Sequence, residues 1–206
     1  MIIIFIGIQG SGKGTQAKLL ADKLKIPGIS TGDVLRSVEG KLKEKVDNVM
    51  NRGELLSADL VMELLKERIS NKDCKNGFIL DGFPRDLEQA EKFDANLDAD
   101  FIIELEISDK EVFRRLEGRR LCPKCGRGYN VVTSPKPKKD NLCDIDGAEL
   151  VRRADDTEDS IKKRIEIYHE ETEPILKRYK DKIIKINGEQ KIENIFEDIL
   201  EKLRIK

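Results

Sequence analysis

The first six positions, Met1–Ile6, are almost all β-branched or aromatic. The run is too short for an ordinary helix and reads as a strand buried on both faces. Glycines follow, and Ala17–Lys25 then places Leu19, Leu20 and Leu24 at helical spacing among polar residues. Strand, glycine turn and helix open a βα unit. Leu42–Met50, Asp59–Ile69 and Leu87–Phe93 carry enough polar positions between apolar ones to predict surface helices. Gly77–Leu80, Phe101–Ile107 and Lys182–Ile186 are predicted core strands, and Ser160–Lys180 and Ile192–Leu203 predicted amphipathic helices. Strands alternating with helices predict an α/β fold built on a parallel sheet. One stretch breaks the pattern: Leu121–Leu150 has no helical period, concentrates Cys, Pro, Gly, Lys and Asp, and is flanked by Arg119-Arg120 and Arg152-Arg153. It reads as a small subdomain inserted in the α/β core.

Composition narrows the class. A chain of 206 residues is expected to hold one compact core with room for an insertion. Charged residues make up 38%, well above the roughly 25% of average proteins, yet the formal net charge is only -1. That balance lacks the basic excess of a general nucleic-acid binder. No segment approaches the roughly 20 apolar residues that span a bilayer, and Met1–Ile8 lacks the basic start of a signal peptide. A cytoplasmic, reducing location is expected, with no membrane partner. Four cysteines there read as metal ligands or bystanders rather than disulfides.

Gly7-Ile-Gln-Gly10-Ser11-Gly12-Lys13-Gly14-Thr15 fits G-x-x-x-x-G-K between a predicted strand and a predicted helix. Glycines let backbone N–H groups curl around phosphate oxygens, and the helix N-terminus adds partial positive charge. Lys13 then reaches the outer phosphates of a nucleoside triphosphate. The motif departs from its general form at Gly14, which moves the hydroxyl expected on Mg²⁺ to Thr15.

Three further segments follow in order: Ile29-Ser30-Thr31-Gly32-Asp33-Val34-Leu35-Arg36, Gly53-Glu54-Leu55-Leu56-Ser57 and Asp81-Gly82-Phe83-Pro84-Arg85. Together with Gly12–Gln16, Gly118-Arg119-Arg120 and Arg153-Ala154-Asp155-Asp156, the chain closely resembles the adenylate kinases of the nucleoside monophosphate kinase group. The resemblance implies a P-loop kinase core (residues 1–29, 57–117 and 157–206), a helical monophosphate-binding domain (30–56) and a lid (118–156). It implies reversible phosphoryl transfer from Mg-ATP to AMP giving two ADP, by a monomer. Carried over by motif, Gly10–Thr15, Arg115 and Arg119 lie on the ATP side. More loosely, Gly128, Tyr129 and the backbone of Gln190 flank the ATP base and ribose. Thr31, Arg36, Glu54, Leu55, Leu56, Gly82, Phe83, Pro84, Arg85 and Gln89 fall to AMP, with Gln89 reading the adenine edge. Arg153 and Arg164 bridge the transferring group, so that Lys13, Arg85, Arg119, Arg153 and Arg164 form the catalytic set.

That set makes chemical sense by itself. Moving a phosphoryl group between polyanions needs alignment and charge neutralisation more than covalent chemistry. Lysine supplies a point charge, and arginine forks hold two phosphate oxygens at once. Arginines before and after an insertion converge only if it folds over the site, which also excludes water as a competing acceptor. Asp81 is read as organising Mg²⁺ waters or the loop rather than as a base.

Cys122-Pro-Lys-Cys125 is followed by Cys143-Asp-Ile-Asp146. The gap lies within the roughly 15–20 residues of zinc-ribbon spacing. Zinc takes four ligands in structural sites and accepts carboxylate beside thiolate. Cys122, Cys125, Cys143 and Asp146 are thus the candidate ligands of a closed structural zinc, with Asp144 competing for the fourth position. Cys74 stands outside any ligand spacing, and the single histidine, His169, reads as a surface residue. A kinase for UMP or CMP is the nearest competing function, and a zinc-ribbon module on nucleic acid the competitor from another class.

Overall fold

The computed structural model describes residues 1–205. A five-stranded parallel sheet has the order β2-β3-β1-β4-β7, with β1 (Ile2–Ile6) in the middle, β2 (Gly28–Ser30) and β3 (Phe78–Asp81) on one side and β4 (Phe101–Glu106) and β7 (Ile183–Asn187) on the other. The chain runs outward from β1 in one direction and later returns to fill the other, so the carboxyl end of β1 is a topological switch point. Ligand crevices open at such points.

Both faces of the sheet are covered, as an apolar β1 requires. Ile3 and Phe5 pack with α1 (Lys13–Leu24) and α9 (Ile192–Lys202) through Leu20, Ile195 and Ile199. Ile4 and Ile6 face the opposite layer, with α2 (Thr31–Arg36), α3 (Lys41–Asn51), α4 (Ala58–Ile69), α5 (Leu87–Asp94) and α8 (Glu173–Arg178) contributing Leu35, Val46, Val61, Phe93 and Ile175. All but one of the predicted helices and strands of the core are present, with ends shifted by a few residues.

One prediction is corrected. Ser160–Lys180 is not a single helix: α7 (Glu158–Ile167) passes through a π turn at Tyr168–Thr172 into α8, which ends at Arg178. Pro174 explains the interruption. It has no N–H for the Glu170 carbonyl and its ring crowds the preceding turn, and the Glu173 N–H instead donates to the carbonyl of Tyr168, five residues back. Four elements of the core escaped the pattern reading: β2, α2, the 3-10 turn Lys72–Asn76 and α6 (Asp109–Gly118). The last carried a visible start signal, for Ser108 caps the Glu111 N–H and Glu111 stands three positions on.

The segment without helical period folds apart from the main sheet. β5 (Arg119–Leu121) and β6 (Gly128–Asn130) form an antiparallel pair. Leu121 also bridges to Val151 and Leu142 to Glu149, which closes the segment on itself.

Candidate active site

The glycine-rich turn after β1 runs straight into α1, whose first residue is Lys13. The Lys13 ammonium donates to the Ile8 carbonyl at 2.8 Å. Burial pushes its pKa down to about 8, although Asp81 pulls the other way. Gly14 has a specific reason to lack a side chain: a Cβ there would stand 2.9 Å from Oδ2 of Asp81. The carboxylate at the end of β3 thus occupies the space in which a Ser or Thr would sit. Burial raises the Asp81 pKa, against the pull of Lys13 and Arg85.

Lys13, Arg36, Arg85, Arg119, Arg153 and Arg164 line one cleft of about 1650 Å³ over the carboxyl ends of β1 and β3. They come from α1, α2, the β3–α5 turn, the start of β5, the return of the inserted segment and α7. Such crowding shows in their proton affinities. Burial, with Arg164 nearby, lowers the Arg85 pKa to about 10. Burial, with Arg119 and Arg36 nearby, does the same to Arg153, also to about 10. Concentrated positive charge in a desolvated cleft is an electrostatic cradle for polyphosphate.

Two carboxylates hold this array in shape, and the sequence reading gave them no role. Asp156 is buried and pairs with Arg119, Nε to Oδ2 at 2.7 Å, and with Arg164, Nη1 to Oδ1 at 3.2 Å. Asp155 accepts from Arg164 Nη2 at 2.5 Å and lies 3.9 Å from Arg36 Nη1. Burial opposes ionisation of Asp155, yet Arg164 overrides it and the pKa falls. Their signal in the sequence is an acidic pair just after Arg152-Arg153.

The remaining residues expected on the ATP side also reach the cleft. Arg115 Nη1 donates to the Ser11 carbonyl at 3.2 Å and Nη2 to the Gly188 carbonyl at 2.8 Å, tying the glycine turn to the loop before α9. Gly10, Ser11, Gly12, Thr15, Gly128, Tyr129 and Gln190 line the same space. The Tyr129 ring is buried inside the inserted segment. On the other side, Glu54 and Gly82 line the cleft. Thr31 is buried with its hydroxyl unpaired. Leu56 and Phe83 are core residues, and Leu55, Pro84 and Gln89 are not among the lining residues. Gln89 accepts the Arg85 N–H at 2.9 Å through Oε1.

Within the inserted segment, one ligand atom from each of Cys122, Cys125, Cys143 and Asp146 lies within 4.8 Å of the others. The sulfurs of Cys125 and Cys143 are 3.5 Å apart, and all cysteines are free thiols. Each Cys pair position opens a knuckle: Gly126 N–H donates to the Cys122 carbonyl and Gly147 N–H to the Cys143 carbonyl. Both glycines take positive φ, 72° and 69°, the conformation that costs glycine nothing. The Cys125 N–H points at Cys122 Sγ and the Ile145 N–H at Cys143 Sγ, each 3.4 Å away. Tyr129 sets its hydroxyl 3.5 Å from Cys143 Sγ. Asp144 accepts the Lys138 N–H at 2.8 Å and so stands apart from the cluster. The Ala148 N–H holds the Asp146 carboxyl down to about 2.

A sequence model of the adenylate kinase family matches residues 5–184. The chain is 40% identical over 216 residues to an adenylate kinase of Caldicellulosiruptor bescii, with all of both chains covered. It is 40% identical to the adenylate kinase of Thermosipho africanus, over 99% of this chain and 100% of that one. Identity to the adenylate kinase of Methanocella arvoryzae is 43%, over 99% of each. The chain belongs to the adenylate kinase family. It is therefore a nucleoside monophosphate kinase, and its reaction is reversible transfer of a phosphoryl group between ATP and AMP. Magnesium accompanies ATP in this family, and the cysteine–aspartate cluster is a candidate metal site. Among the described residues no helix is long and apolar enough to cross a membrane.

Proposed function

We propose that the transfer runs across the cationic cleft, with ATP on the glycine turn and AMP beneath α2 and α3. The convergence of Lys13, Arg36, Arg85, Arg119, Arg153 and Arg164 on one space carries this reading. On the ATP side the N–H groups of Gly10–Thr15 surround the phosphates, Lys13 meets the outer ones, and Arg115 and Arg119 flank them. On the AMP side Arg36 and Arg85 hold the α-phosphate and Glu54 and Gly82 line the space for the nucleoside, whereas Thr31, Leu55, Leu56, Phe83, Pro84 and Gln89, outside that lining, meet ribose and base only if the cleft closes on AMP. Arg153 and Arg164 lie between and neutralise charge on the transferring group. Asp156 keeps the Arg119 and Arg164 forks aimed without supplying a proton. Magnesium, when bound with ATP, neutralises phosphate charge, and Asp81 behind Gly14 is placed to hold its waters.

The inserted segment, residues 118–156, acts as the lid, and residues 30–56 as the monophosphate-binding domain. Closure of the lid brings Arg119 and Arg153 over the phosphates and excludes water. The lid holds a structural zinc on Cys122, Cys125, Cys143 and Asp146. Three soft thiolates and a carboxylate suit zinc. The N–H groups aimed at sulfur and the Tyr129 hydroxyl supply the outer-shell bonds such a site uses.

The test is a panel of AMP, UMP, CMP and GMP with Mg-ATP. AMP is expected to be turned over far faster than the others, and Arg36→Ala to raise KM for AMP about tenfold or more while moving KM for ATP little. Preference for a pyrimidine acceptor, or equal effects on both substrates, would overturn the base and residue assignments respectively.

A further inference from the structure

Arg85 is fixed at three points, and one of them comes from far along the chain. Its Nε donates to the Gly82 carbonyl at 2.8 Å, and its N–H to Gln89 Oε1 at 2.9 Å. The first contact lies within the β3–α5 turn, and the second reaches the first turn of α5. Its carbonyl accepts the Thr172 hydroxyl at 2.6 Å, from 87 residues away. Thr172 is buried and closes the π turn between α7 and α8. Its β-branched side chain has few rotamers, so the direction of the hydroxyl follows that of the backbone.

The helical rod that carries Thr172 also carries Arg164, eight positions earlier. In an unbroken α-helix, positions eight apart lie about 80° apart around the axis. A π turn advances less per residue, which swings Thr172 back toward the face of Arg164. Pro174 forces that wider turn. The interruption that defeated the single-helix prediction is thus what lets one rod reach two arginines of the cleft, Arg164 directly and Arg85 through its backbone.

We propose that Thr172 is a positioning residue for phosphoryl transfer: its hydroxyl ties the Arg85 backbone to the helix bearing Arg164, so that both guanidinium groups keep a fixed spacing across the transferring group. The proposal rests on the roles given to Arg85 and Arg164 above. Thr172 touches no nucleotide and acts only through Arg85.

Thr172→Val keeps the branched shape and removes the donor, whereas Thr172→Ser keeps the donor. Thr172→Val is expected to lower kcat about 10- to 100-fold, the scale of a small misplacement in a transfer site. KM for AMP and ATP should stay within about threefold, because the interaction lost matters in the transition state. Thr172→Ser should retain most of the wild-type kcat. In an Arg85→Lys background, adding Thr172→Val should lower kcat by less than about threefold, since the fork it positions is gone. If Thr172→Val is too unstable to assay, Thr172→Ala removes the same donor without crowding and is read in its place. An unchanged kcat, a Ser variant as slow as the Val variant, or an undiminished loss in the Arg85→Lys background would each overturn the proposal. Arg85→Lys with wild-type kcat would instead overturn the reading of Arg85 on which it stands.

Discussion

Two clusters of polar groups dominate this chain, and they are built on opposite principles. The cleft draws its cations from six separate stretches of chain, and they crowd one another: Arg85 and Arg153 have both lost proton affinity to burial and to neighbouring arginines. Arg153 Nε is buried there without a partner, and a phosphate oxygen would supply one. The knuckle cluster takes its four ligand groups from residues 122–146. N–H groups of the same short segment are aimed at its sulfurs. A zinc held there as proposed would have all four positions filled by the protein and no opening for substrate. Long-range convergence leaves charge open to a ligand, as the proposed phosphoryl transfer needs. Local closure leaves none open, as a structural metal site would need.

The comparison is broken most directly by removing one cation from the cleft. Arg85→Ala or Lys13→Met is expected to reduce kcat by about 10³-fold or more, on the scale of cationic residues in phosphoryl transfer. Melting temperature should hold or rise, because a desolvated charge is relieved. A collapse of stability together with activity would show these cations to be structural. The knuckle should give the reverse. Asp146→Asn or chelation should release one zinc per chain, lower the melting temperature by roughly 5–10 °C and speed amide exchange within Leu121–Leu150. Phosphoryl transfer at moderate temperature should survive. Metal analysis by mass spectrometry decides the ligand, for Asp144→Asn should keep its zinc.

Acidity sharpens the contrast further. Lys13 has a folded pKa of about 8 against 10.5 in its unperturbed state. Its protonated form therefore opposes folding at neutral pH, and that opposition fades as pH rises from about 8 toward 10.5. If ATP binds the protonated form as proposed, its affinity should fall as pH climbs through about 8. Calorimetry at pH 8 in buffers of different ionisation enthalpy should detect proton uptake on binding. A flat affinity from pH 7 to 9 would place Lys13 at an ordinary pKa.

The smallest expected effect lies outside both clusters. His169 reads from sequence as a surface residue, and it is half-exposed, but its ring bridges two carboxylates, Glu173 at 3.1 Å and Asp109 at 3.0 Å. Those hydrogen bonds raise its pKa. The bridge contributes fully below the ordinary histidine range and is lost as pH rises through the raised value. His169→Gln should cost less than about 1 kcal/mol at pH 6, given solvent screening, and nothing at pH 9. Chemical denaturation at the two pH values measures it.

Sequence alone determined the α/β core, the glycine turn between strand and helix, and the clustering of Cys122, Cys125, Cys143 and Asp146, because each depends on near neighbours. A strand needs a short apolar run, a phosphate turn needs glycines beside a helix start, and a metal knuckle needs paired ligands at fixed spacing. Residues that act by meeting distant partners were legible only through family motifs, and then without their geometry. Asp155 and Asp156 show this, for an acidic pair in a charged chain looks like solvated surface until it is found buried between Arg119 and Arg164. Thr172 shows it again. Its hydroxyl meets the Arg85 carbonyl across 87 positions, through a π turn that periodicity reads as plain helix. Only packing decides where a hydroxyl on a helix points, because direction depends on the register of every turn before it.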